Sequence, residues 1–111
     1  FNRYQKEEIL KGLEKDLNVS IYAKTEFDWK QMRRIRRGLE ENLNVSLYAK
    51  KEFDWKQMRE IRLGLENNLD VNFYSNSDLN YNKMEIIKNY LLKKKSPSKY
   101  FIFLIKECPF I

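Results

Sequence analysis

The stretch Phe27-Asp28-Trp29-Lys30-Gln31-Met32-Arg33 returns 26 positions later as Phe53-Asp54-Trp55-Lys56-Gln57-Met58-Arg59. Downstream of it, Ile35, Gly38, Leu39, Leu43, Val45 and Tyr48 return as Ile61, Gly64, Leu65, Leu69, Val71 and Tyr74. Run toward the start, the same frame matches Phe1, Gln5, Ile9, Gly12, Leu13, Leu17, Val19 and Tyr22. One period carried through three units is the mark of a repeat architecture. A worn fourth unit follows, with Leu79, Tyr81, Met84, Ile87 and Leu91 in register and Tyr90 in the glycine place. Ser96-Pro97-Ser98-Lys99-Tyr100 then lines up with Asn44-Val45-Ser46-Leu47-Tyr48. The frame divides a single domain into repeats 1-26, 27-52 and 53-78 and a degenerate capping repeat 79-111.

Within each repeat the signals are helical. Asp28 is a good N-cap, and Gln31 three residues on completes a capping box that satisfies free amides at a helix start. Phe27 before the cap can staple to Met32, a device repeated by Phe53 with Met58 and Leu79 with Met84. Lys6 occupies the Met place in the first repeat, so that staple is lost. Met32, Ile35, Leu39 and Leu43 then fall at helical spacing, with Leu39 and Leu65 expected at the centre of the apolar stripe and Arg34 on the outer face. Asn18, Asn44, Asp70 and Ser96 are cap-type residues that predict a second, short helix such as Val45 to Ala49. Pro97 suits the first helical position. The β-rich run from Tyr100 to Ile105 leaves a strand there as the competing reading.

A 26-residue helical pair cannot bury its stripe alone, so neighbours must stack. The fold class expected is all-α, a short α-solenoid of about four two-helix repeats. Gly12, Gly38 and Gly64 recur inside the long helix, where glycine costs about 1 kcal/mol relative to Ala; a cost repeated at one phase suggests close approach of a neighbouring helix. With Tyr90 in that place, the fourth unit reads as an end cap.

Composition narrows the function. The 111 residues are 42% hydrophobic and 34% charged, which suits a folded domain rather than a disordered chain. No run of about 18 apolar residues predicts a membrane span, and no leader is visible ahead of Phe1. There is no histidine and one cysteine, Cys108. That argues against a zinc site, an internal disulfide or a Ser-His or Cys-His nucleophile pair, and it fits a reducing cytoplasm. The three glycines stand apart and form no phosphate loop. No catalytic residue, cofactor or metal is therefore assigned, and no small-molecule substrate is expected.

Function in such an array is read from columns of equivalent positions. Leu10, Arg36, Arg62 and Lys88 form a largely basic column; Glu7, Arg33, Arg59 and Glu85 lie a turn earlier, and Glu14, Glu40, Glu66 and Leu92 a turn later. Arg36 and Glu40 are spaced to pair. The aromatic column is Arg3, Trp29, Trp55 and Tyr81, residues that pack between repeats or anchor a partner. Tyr22, Tyr48, Tyr74 and Tyr100 read as core. The partner-binding ridge expected is Arg33, Arg36, Arg37, Arg59 and Arg62, with Trp29 and Trp55 as anchors; its alternative is a solvated face of weak ion pairs. Charge is uneven, at 0, +3, −2 and +5 along the four units. The clusters Arg33-Arg34-Ile35-Arg36-Arg37 and Lys93-Lys94-Lys95 could engage phosphate backbones, although an acidic unit separates them and no nucleic-acid motif is present.

The run Phe53-Asp54-Trp55-Lys56-Gln57-Met58-Arg59-Glu60-Ile61-Arg62-Leu63-Gly64-Leu65-Glu66, followed by Leu69-Asp70-Val71, resembles a short tandem helical repeat of low-GC Gram-positive bacteria. That family occurs in uncharacterised proteins, many of them on phages and mobile elements. Where its repeat has a small residue at the end of the long helix, this chain has Asn42 and Asn68. Its loop proline is replaced by Thr25, Lys51 and Ser77. The resemblance implies no activity or ligand. It does suggest a scaffold that binds a protein partner, such as a mobile-element protein acting on a host complex, with nucleic-acid binding or an anti-defence (anti-CRISPR-like) role as the alternative.

Overall fold

The computed structural model describes residues 1–95, and within them the chain is all-helical, without strands. Three 12-residue helices, α1 (Arg3–Glu14), α2 (Trp29–Glu40) and α3 (Trp55–Glu66), are followed by the 15-residue α4 (Tyr81–Lys95). Each packs on the next, giving the stacked helical-repeat arrangement that the period predicts. The last short helix and the competing strand at Tyr100 to Ile105 lie outside the described residues.

Helix starts form as the capping pattern dictates. Gln31 N–H donates to Asp28 Oδ1 and Asp28 N–H donates to Gln31 Oε1, both at 2.8 Å; Asn2 with Gln5 and Asp54 with Gln57 repeat the reciprocal pair. In the fourth unit Asn80 still caps Lys83 N–H at 2.9 Å, but a lysine side chain has no acceptor to answer with. The glutamines do a second job. Gln5 Nε2 donates to Phe27 O at 2.7 Å, Gln31 Nε2 to Phe53 O at 2.6 Å and Gln57 Nε2 to Leu79 O at 2.7 Å, so the start of each helix is tied to the start of the next.

The long helices end at Glu14, Glu40 and Glu66, ahead of the leucines that the stripe had assigned to them. Asp16, Asn42 and Asn68 adopt φ of 55°, 58° and 56°, the left-handed region in which Asp and Asn are the best tolerated residues after glycine. Leu43 N–H donates to Gly38 O and Asn42 N–H to Leu39 O, the paired bonds of a Schellman stop. The stripe is consequently centred one turn earlier than expected. Met32, Ile35, Met58 and Ile61 are fully buried, whereas Leu39 and Leu65 are only partly so.

The second helix of each of the first three repeats is a single 3₁₀ turn, Val19–Ile21, Val45–Leu47 or Val71–Phe73, shorter than the α-helix expected. Its main contribution is a tyrosine. Tyr22, Tyr48 and Tyr74 are fully buried, and their hydroxyls donate to the helix carbonyls of Glu8, Arg34 and Glu60 at 2.7–2.8 Å. Burial pushes the Tyr22 phenol up to about 12. This accounts for the recurrent glycines. A Cβ at Gly38 would overlap the Tyr48 hydroxyl and lie 2.6 Å from Val45 Cγ1, and Gly12 and Gly64 have the same neighbours. The close approach comes from the repeat's own 3₁₀ turn, not from the adjacent long helix.

Candidate interaction surface

The columns separate into a buried seam and an open groove. Arg36 and Arg62, expected on the partner-binding ridge, are 8% and 7% exposed. Both stand where one helix meets its predecessor. Arg36 Nε donates to Glu8 Oε2 at 2.8 Å, Arg33 Nε donates to Glu8 Oε1 at 3.0 Å, and Arg36 also engages Glu40. Arg62 Nη1 donates to Glu66 at 2.8 Å and to Glu41 at 3.2 Å. Lys15 reaches Glu40 at 2.9 Å, extending the pairing across the first seam. The burial of Glu8 raises its pKa, but the hydrogen bonds and charges of Arg36 and Arg33 outweigh that and hold it below the ordinary value; Arg36 is correspondingly raised. These arginines join repeats, so the continuous ridge of the sequence reading is broken up. Arg59 is half-buried, with Nε 3.1 Å from Glu60 Oε2, and Arg37 is exposed.

One column faces the next helix at every seam. It reads Glu8, Arg34 and Glu60 on successive helices. Glu60 accepts from Lys88 at 2.6 Å, both side chains being 1% exposed. Arg34, expected on the outer face, is instead half-buried beside the next helix. Burial and then the charges of Arg62, Arg37, Arg59 and Arg33 bring its pKa down to about 10, so it stays cationic at neutral pH. Its Nε and that of Arg62 are buried without a hydrogen-bond partner among the described residues.

The tryptophans line the other side of this region, each half-buried. Tyr4 stands 5.9 Å from Trp29, giving the first repeat an aromatic in place of Arg3. Lys30 Nζ lies 5.6 Å from the Trp29 ring and 5.4 Å from Trp55, and Lys56 Nζ lies 5.6 Å from Trp55 and 4.8 Å from Tyr81. Arg33 sits 4.9 Å over Trp29 and Arg34 5.1 Å over Trp55, so cations and rings alternate within cation–π range along the stack. Trp29, Lys30, Arg33, Arg34 and Trp55 enclose an open groove of about 190 Å³. Small-molecule sites usually run to roughly 300–1,000 Å³; this one has room for a side chain.

Lys30 and Lys56 join this surface outside the columns expected from the sequence, and Arg34 joins it from the basic cluster. The signal was present in their phase: each lies one or five residues beyond a recurring Trp, within reach of the ring on the same or the next repeat. Among the described residues no group of His, Cys, Asp or Glu is arranged to hold a metal, and no helix is long and apolar enough to cross a membrane. Comparison with protein-family models, with curated proteins and with solved structures finds no match.

Proposed function

We propose that the chain is a non-catalytic helical-repeat scaffold that binds another protein along the groove between Trp29 and Trp55. The observation that carries this reading is the pair of half-buried tryptophans around a side-chain-sized groove. Trp and Arg are the residues that most often dominate protein interfaces. Trp29, Trp55, Arg33 and Arg37 stay in the proposed contact set, joined by Lys30 and Arg34; Arg36, Arg59 and Arg62 support it from the seams. A mobile-element protein acting on a host complex is the setting that the repeat resemblance suggests, and the single cysteine fits a reducing cytoplasm.

Nucleic-acid binding is the second reading, favoured by the same alternation of cations and rings, since bases stack on aromatics beside basic side chains. The test is recovery of partners from the native host, with and without nuclease, by wild type, Trp29→Ala/Trp55→Ala and Lys30→Glu/Arg37→Glu. Reversing Arg33 or Arg36 would break the Glu8 pairs and confound the result. Protein partners that survive nuclease and are lost with the tryptophans support the scaffold. Recovery of nucleic acid alone, with binding that falls steeply as salt rises, overturns it.

A further inference from the structure

The three seams share one plan and differ in charge at one position. The residue that reaches back from the next helix is a cation each time: Arg36, Arg62, then Lys88. The residue that receives it is Glu8 in the first seam and Glu60 in the third, and each carboxylate is buried and bonded to that cation. In the second seam this position is Arg34, so a cation faces the cations Arg59 and Arg62. The seam's own acids do not fill the role. Glu41 and Glu66 both engage Arg62 through Nη1, while the Nε groups of Arg62 and Arg34 are buried and unpaired. A buried donor without a partner is costly, and the neighbouring cations add to that cost at Arg34. Arg34 also forms a wall of the tryptophan groove, which gives this seam a path to solvent.

We infer that the second seam is a receptor site for a single carboxylate side chain of a partner protein, seated against Arg34 and Arg33 with Lys30 and the two tryptophans around its stem. The inference rests on the scaffold reading but names what the partner must supply: an Asp or Glu beside an apolar contact. A carboxylate fits because Glu8 and Glu60 show the plan satisfied by that group in the same phase. The groove admits one side chain, and Glu41 and Glu66 near Arg62 would repel a continuous polyanion such as a phosphate backbone.

The test needs no identified partner, so its failure is distinct from failure of the scaffold reading. The arginine Nε–H resonances of the full chain are followed by NMR at constant ionic strength while chloride is exchanged for acetate, for inorganic phosphate, or for a blocked tripeptide with glutamate at its centre. Saturable millimolar shifts at Arg34, Arg33 and Arg62, absent at exposed Arg3, are expected with acetate and stronger with the tripeptide. Arg34→Glu supplies the carboxylate internally; it should raise Tm by several degrees and abolish the shifts, while Arg34→Gln should weaken them several-fold without that gain. Equal, unsaturable shifts at Arg3 and Arg34 overturn the site, and so does a lowered Tm in Arg34→Glu with the shifts retained. Tighter binding of phosphate than of the tripeptide overturns the carboxylate assignment in favour of a phosphate ligand.

Discussion

Lys88 Nζ lies 2.6 Å from Glu60 Oε1, and both side chains are buried between α3 and α4. A buried pair holds little net stability over an apolar equivalent, but removing one partner strands a charge at a cost of about 3–5 kcal/mol. Lys88→Met is expected to lose about 3 kcal/mol in urea unfolding, because Arg59 still offsets part of the charge left on Glu60. Lys88→Met/Glu60→Leu should recover most of that loss. Equal losses in the single and double variants would contradict the pairing.

Gly38→Ala inverts a general rule. In an exposed helix the change gains about 1 kcal/mol; here the new Cβ meets Val45 Cγ1 at 2.6 Å and the Tyr48 hydroxyl. The variant should melt below wild type, and Tyr48→Phe in the same chain should soften the loss through non-additivity.

Met58→Ala and Ile61→Ala should each cost about 2–5 kcal/mol, being fully enclosed. Leu65→Ala, at a half-buried site, should cost visibly less in the same denaturation series. A larger loss at Leu65 would move the centre of the stripe to that residue.

Gln57→Glu separates the two roles of the repeated glutamine. Glutamate serves a capping box as well as glutamine does, so an isolated helix peptide should not weaken. In the full chain the change removes the Nε2 donor to Leu79 O and turns a carboxylate toward a carbonyl. A loss of about 1–3 kcal/mol is expected there, measured by thermal unfolding.

Glu41 gives a pH dependence of known sign. Burial, then the hydrogen bond and charge of Glu66, hold its pKa up at about 7 against an ordinary 4.5. Between those values the folded chain keeps a proton that the unfolded chain has released, so stability falls as pH rises. The side chain is 37% exposed, so the slope is shallow. Glu41→Gln should flatten it. Glu8, whose pKa is lowered, acts oppositely and loses stability as pH falls below 4.5.

Much of the fold was legible because its determinants are local. The period, the Asp28–Gln31 box and the Phe27–Met32 staple can be judged from residues a turn apart. The stop at Asn42 was harder to read, since an asparagine at φ of 58° carries no glycine signature. The site was read only in part. A column such as Arg36 and Arg62 has the composition of a solvated face, and its burial depends on which side of the helix the neighbour covers. The clue lay in the opposing column, where Glu8, Arg34 and Glu60 alternate in sign against a constant cation.

That alternation also bears on how the array comes apart. The stability of a stacked array is close to a sum over its units and joints, and local opening begins where a joint is poorest. The outer joints each seat a buried carboxylate on a cation, while the middle one sets Arg34 toward Arg59 and Arg62 and is bridged by the more exposed pair of Arg62 with Glu41. Electrostatically the chain is two riveted pairs meeting at a slack hinge, so partial unfolding should start as a split through its centre, not as fraying from an end.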